Sequence, residues 1–414
     1  MKSGLTFLIA ARRCEINDLE QLTHTSALVN VTGRLVHALQ KERGISNVFL
    51  ASHGQRFSAQ LPLQVVECRQ VEDELRASFD HLDTDAVRIS NGARLFSRIA
   101  FVLQGLEGLP QLREQVAAQA ITPAEATASF IKLIAGLLAV VFEAADSATN
   151  PEISRLLVAM FNFMQGKEFA GQERAFGAAA FAVGHTDSQS QQQWLHLIQS
   201  QERCVQVFSD FSTPALRALW QSSQSPAILA DLERLRRIAC SVATASLDTN
   251  LSKAWFDCCT RRIDAMKTVE DQLAGDLLQL CEDKIRQARA ELHDHQVILA
   301  ALTAQSPPAT GNATVTGNEG LAASTTAYGP QLERSILGMV QEQAHRLQAM
   351  GDELETVRAS LNERKVVERA KGLLMATRKL SEEDAYKMLR QTAMSQNRRL
   401  LDVAESVLAM SDYL

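Results

Sequence analysis

The chain has 414 residues, 46% of them hydrophobic but only 5% aromatic, and carries a formal net charge of −6. That length allows two or three domains with a sizeable core, and the acidic balance excludes a protein that coats nucleic acid over its whole surface while leaving room for a local basic patch. The abundance of Ala, Leu and Gln points to helices rather than strands, so an all-α fold is expected.

Seven scattered cysteines, with no CxxC and no pairing with His that resembles a ligand set, suit a reducing cytoplasm and provide neither a disulfide framework nor a metal site. No stretch approaches 18 uninterrupted apolar residues; the longest, 133–142, has the length of a buried core helix. At the start, MKSGLTFLIAARRC places its arginines after the apolar run instead of before it. A soluble cytoplasmic protein with no membrane partner is the expectation.

Helical periodicity begins at 26–51, where Leu28, Val31, Leu35, Leu39 and Phe49 form one stripe. Within it lies HALQKERGIS: Glu42 falls near the centre of the stripe and Arg43 on its flank. Gly44 costs a helix about 1 kcal/mol relative to Ala, which suggests close approach of backbone or ligand. Helical patterns continue over 61–82 and 87–106, with a break at HLDTD and another at Pro110. Thr122-Pro123-Ala124-Glu125 reads as a helix start, with Thr as N-cap, Pro at the first position and an acid in the first turn. The helix it opens is apolar enough to be central to a bundle.

Between 151 and 184 the residues Ile153, Leu156, Met160, Phe163, Met164, Ala178 and Phe181 share one face. Ile153, Met160, Lys167, Arg174 and Phe181 are spaced seven apart, so two cations stand where core side chains belong. A buried charge needs an acid, a route to water, or an anion from outside. Helices follow at 189–208 and, after breaks at Thr213-Pro214 and Pro226, on a stripe of Ile228, Leu232, Leu235, Ala239 and Val242. Arg236 lies inside that arc, whereas Arg234 and Arg237 point away. Residues 248–302 read as one long amphipathic helix or a pair.

Residues 303–330 hold no periodicity, three prolines and many small polar residues, the pattern of a flexible linker. From 331 a seam of Leu332, Ile336, Met339, Gln343, Leu347, Met350, Leu354, Val357 and Leu361 predicts a coiled coil with a stutter, facing a partner helix in the same chain or in a homodimer. Three short helices complete the chain: one to about 376, one over 382–395 with Ser381 and Asp384 as an approximate capping box, and one over 399–410. Residues 364–399 carry ten Lys or Arg against four Asp or Glu, with Tyr386 as a stacking surface.

No GxSxG, P-loop, HExxH or Gly-rich dinucleotide turn occurs, and His293 and His295 do not share a helix face, so no catalytic residue, metal ligand or cofactor is assigned. Arg43, Lys167, Arg174 and Arg236 come from three helices, all on or beside inward-facing stripes. An arginine fork suits a small planar oxyanion, because two parallel N–H groups meet two oxygens at once. The competing account is that Glu42, Glu168 and Glu173 neutralise these cations as ordinary buried pairs. Charge alone also allows the basic tail to be a solvated face.

The run VERAKGLLMATRKLSEEDAYKMLRQTAMSQNRRLLDVAESVL closely resembles the ANTAR domain, a three-helix RNA-binding module, and LVHALQKERGIS and GKEFAGQERAF resemble the two signature segments of the NIT domain, a helical nitrate and nitrite sensor. The resemblance implies a sensor over 15–302, the linker over 303–330, a coiled-coil helix over 331–361 and an ANTAR domain over 362–414. It implies nitrate or nitrite as the effector and paired leader RNA hairpins as partner, bound so that a terminator does not form. The signature arginines fall on Arg43 and Arg174; Arg236 and Lys167 join them from the helical-wheel reading. For RNA the candidates are Arg364, Lys365, Lys371, Arg378, Lys387, Arg390, Asn397 and Arg398. The alternative function is a non-enzymatic helical signalling adaptor whose basic tail binds protein or DNA.

Overall fold

The computed structural model describes residues 4–80, 82, 92–240, 247–304, 330–380, 382–396 and 398–411. Every long element among them is an α-helix: α1 (Gly4–Ala51), α2 (Gln60–Asp80), α3 (Gly92–Ala117), α4 (Pro123–Ser147), α5 (Pro151–Val183), α6 (Ser188–Phe211), α7 (Pro214–Ser223), α8 (Pro226–Cys240), α9 (Leu251–Ala304), α10 (Pro330–Arg378), α11 (Glu382–Ser395) and α12 (Leu400–Ser411). The all-α expectation is met. The chain divides into two compact units, Met1–Arg346 and Leu347–Leu414, and the division falls inside α10.

In the first unit α5 is the central helix, packed along α6 and α9, while α1 packs along α2, α4 and α9 and α3 closes on α4. Its ends are set locally. The Asn150 side chain accepts from the amides of Glu152 and Ile153, and Gly184 ends the helix at φ 75, a left-handed conformation that glycine adopts without strain. Every residue from Leu156 to Met164 is buried, so α5 faces protein on all sides rather than on the single stripe its periodicity suggests. α4 begins as expected: Thr122 accepts from the Glu125 amide and the Glu125 carboxylate accepts from the Thr122 amide, a capping box with Pro123 beside it. α4 is long and apolar enough to cross a membrane, and most of it is buried inside the bundle.

Two expectations change. Pro110 does not break its helix: α3 runs through it to Ala117, because Val102, Leu106, Leu109, Leu112 and Val116 hold both halves against the core. Of the two arrangements open for the long amphipathic stretch, the structure takes the single helix, Leu251–Ala304. The first helix also extends well upstream of residue 26, with Leu8, Ile9, Ile16, Leu19 and Leu22 buried.

In the second unit the last part of α10 packs with α11 and α12 around Ala370, Leu374, Ala385, Leu389, Ala393, Val403 and Ala404. α10 is continuous through residues 361 and 362, so the coiled-coil stretch and the first helix of the three are one rod. Along the expected seam Val357 and Leu361 are buried, Met350 and Leu354 half-buried and Leu347 exposed. Apart from its ends, the expected linker lies outside the described residues, as do Ser381, Val242 and Asn397 and the side chains of Leu332 and Ile336.

Candidate anion site and nucleic-acid interface

All four candidate cations of the first unit are buried, and three of them meet an acid. Arg43 Nη1 and Nη2 donate to Glu168 Oε1 and Oε2 at 2.5 and 3.2 Å. Arg236 Nε and Nη2 donate to the two oxygens of Glu173, both at 2.7 Å. Lys167 Nζ lies 2.5 Å from Glu270 Oε2. Two of the three acids the sequence offered as partners, Glu168 and Glu173, therefore take that role. Glu42 instead pairs bidentately with Arg113 at 2.8 and 3.0 Å.

Arg174 is different. It is 6% exposed, yet no carboxylate lies within ion-pair distance of it among the described residues. Its Nη1 donates to Thr260 Oγ1 at 3.1 Å and its Nη2 to the Gln40 carbonyl at 3.4 Å, while its Nε is buried with no hydrogen-bond partner among the described residues. Burial first, and then the neighbouring charge of Arg43, lower its pKa to about 10. The Phe256 ring packs 5.0 Å from its guanidinium carbon, which offsets part of the desolvation.

Two glycines make room for the pair. A Cβ on Gly44 would meet Arg174 Nη2 at 2.8 Å, and one on Gly171 would meet Arg43 Nη2 at 2.7 Å. The close approach suggested at Gly44 is thus made by a guanidinium. Each arginine fits against the backbone of the other's helix, so α1 and α5 hold the two cations in one pocket. Gln40 bridges them, its Nε2 donating to Glu168 Oε2 at 2.9 Å while its carbonyl accepts from Arg174. Trp255 Nε1 donates to the Arg174 carbonyl at 3.0 Å and fixes α9 beside the pocket.

The second centre is saturated. Besides Arg236, Glu173 accepts from Trp194 Nε1 at 3.1 Å and Gln201 Nε2 at 2.7 Å. Burial raises its pKa, but the bond and charge of Arg236, with Gln201 and Arg262, together outweigh that and hold it low; burial likewise pulls Arg236 down, and Glu173 and Glu233 together more than restore it. Around Lys167, burial pushes the ammonium down against the pull of Glu270. His37 is lowered to about 2 by burial and then by Lys167, Lys267, Lys41 and Arg174, so it stays neutral.

Sequence reasoning missed Gln40, Arg113, Gly171, Thr260 and Glu270. Two carried a readable signal: Glu270 continues the stripe of Met266, Leu273 and Leu277, and Arg113 that of Leu109 and Val116, so the rule that found the inward cations applies to them as well.

In the second unit Arg378, Lys387 and Arg398 are exposed, and Arg364, Lys365 and Arg390 half-buried. Lys371 is buried and pairs with Glu368 at 2.9 Å instead of facing solvent. Arg398 is fixed to α12 by bonds to the Asp402 carbonyl and Ser406 Oγ, each 3.0 Å.

Two family models match the chain: nitrate and nitrite sensing (NIT) over residues 34–278 and the ANTAR domain over residues 355–408. The chain is 33% identical over 404 residues to a nitrate regulatory protein of Klebsiella oxytoca, spanning 97% of this chain and 93% of that protein. It is also similar to a solved structure of the NasR transcription antiterminator, with a TM-score of 0.62 and 30% identity over 99% of each chain.

Proposed function

Because the chain belongs to the NIT family of nitrate- and nitrite-sensing proteins and ends in an ANTAR domain, we propose that it reads nitrate or nitrite directly at Arg43 and Arg174 and delivers the response through RNA. It is a nitrate-responsive antitermination regulator. The observation that supports this site is the unbalanced charge: of two neighbouring buried guanidiniums, Arg43 holds the carboxylate of Glu168, and Arg174 keeps a donor edge with no acid on it.

A planar monoanion suits that edge, since two of its oxygens match parallel N–H donors. Its charge relieves the repulsion between Arg43 on α1 and Arg174 on α5, and favours whichever packing of α1, α5 and α9 holds it best. A ligand shifts such an equilibrium only by its differential affinity for the two arrangements. Lys167 and Arg236, already balanced by Glu270 and Glu173, keep the central helix in register around the pocket.

The RNA partner is a leader hairpin gripped by the basic ANTAR unit, with exposed Arg378, Lys387 and Arg398 on phosphates and the neighbouring half-buried Arg364, Lys365 and Arg390 beside them. Binding there keeps a terminator from forming and transcription proceeding, in the cytoplasm and without catalysis. A homodimer would form along α10, where Leu347 is exposed and Met350 half-buried on the seam.

A gel-shift titration of paired leader hairpins tests the reading. Nitrate tightens RNA binding by the natural chain and leaves Arg43→Ala, still folded, unresponsive. Equal binding of duplex DNA, or RNA binding indifferent to nitrate, contradicts it.

A further inference from the structure

The proposed anion pocket already contains an anion of the protein's own. Glu168 is 2% exposed and lies on the Arg43 fork; it also accepts from Gln40 Nε2 at 2.9 Å and from Gln172 Nε2 at 2.8 Å. Shielded from bulk solvent, this carboxylate is weakly screened, so its charge counts almost fully toward the pocket. Around it the other charges balance: Lys167 with Glu270, Lys267 with Asp271, and Arg236 and its neighbour Arg262 with Glu173 and Glu233. His37 is neutral and Asp264 is exposed to solvent. What remains is Arg43 and Arg174 against Glu168, a net charge of +1.

Resting on the nitrate and nitrite reading above, we propose that Glu168 is the selectivity residue of the pocket, setting its charge so that a monoanion is accepted and a dianion such as sulfate is refused. A monoanion brings the pocket to neutrality. A dianion leaves one uncompensated negative charge buried beside Glu168, and its desolvation cost rises with the square of its charge. Both anions present oxygens that an arginine fork can hold, so shape alone discriminates weakly between them. Charge bookkeeping in a dry pocket discriminates strongly.

The experiment titrates the full chain with sodium nitrate and with sodium sulfate at constant ionic strength, by calorimetry. The natural protein favours nitrate by at least about a hundredfold. Glu168→Gln, which keeps the shape and removes the charge, gains sulfate affinity and lowers that ratio at least tenfold. Because a charge removed from the core can impair folding, Gln172→Lys supplies a second route: position 172 is half-buried, and a cation there raises the pocket charge in the same direction, so sulfate affinity rises several-fold.

A nitrate-to-sulfate ratio within twofold of the natural value in every variant that folds overturns the role of Glu168. Arg174→Gln separates this from the reading beneath it. If that variant loses nitrate while the ratio is insensitive to residues 168 and 172, the pocket stands and the selectivity residue falls; if it binds nitrate like the natural chain, both fall.

Discussion

Two arginines on or against α5 occupy nearly the same burial, yet their surroundings differ. Arg236 has a carboxylate to itself, aligned on two N–H groups and further fixed by Trp194 and Gln201. Arg174 has a hydroxyl, a carbonyl and the face of a phenyl ring, with Arg43 as a like-charged neighbour. The first is a closed ion pair that sets the packing of α5, α6 and α8. The second carries charge the fold leaves uncompensated, and a buried cation without an acid is where an anion gains most. Burial of a cation therefore does not distinguish structure from sensing; the acid beside it does.

That contrast can be broken by experiment. The largest effect is expected at the closed pair: Glu173→Gln leaves Arg236 with only the exposed Glu233 as counter-charge and lowers unfolding free energy by about 3 kcal/mol in denaturant titration, while nitrate affinity of the folded fraction stays within about threefold. Parallel loss of nitrate binding would merge the two centres into one.

His37, set among the cations, reports their field. Its folded pKa is near 2, below the value of about 6.5 expected in the unfolded chain. Stability linked to it is complete above pH 6.5 and is lost as the pH falls below that, because the unfolded state takes up the proton first. Between pH 6.5 and 4.5 the natural chain should lose about 2 kcal/mol more than His37→Gln, measured by unfolding at the two pH values.

A smaller effect concerns Arg174 itself, lowered to about 10. Nitrate affinity should be flat from pH 6 to 9 and fall about tenfold for each unit above 10, as the guanidinium loses its proton. The smallest belongs to the glycine beside it. In Gly44→Ala the added methyl meets Arg174 Nη2 at 2.8 Å and shifts a flexible side chain, weakening nitrate by about threefold, or roughly 0.6 kcal/mol.

Much of the fold was legible because helix ends are written locally. Thr122-Pro123, Thr213-Pro214 and Gly184 lie where caps are made, and the structure uses them so. Pro110 and the all-round burial of α5 were not legible, since tertiary packing decides both. At the site, an inward cation could be read from a helical wheel, and Arg43, Lys167, Arg174 and Arg236 are all buried. Which acid meets which cation could not: Glu168 reaches Arg43 across 125 residues and Glu173 reaches Arg236 across 63. Periodicity places a residue on its own helix and says nothing of the facing one, so Glu42 looked like a partner for its neighbour Arg43 and turned instead to Arg113.

The most direct test is calorimetric titration of nitrate into the natural chain and into Arg174→Gln at pH 7. Stoichiometric binding by the first and loss of at least about a hundredfold in affinity in the second, with unfolding free energy unchanged or higher once the uncompensated cation is gone, is the predicted result. Equal nitrate affinity in the two proteins would contradict the assignment of the unbalanced guanidinium as the sensor.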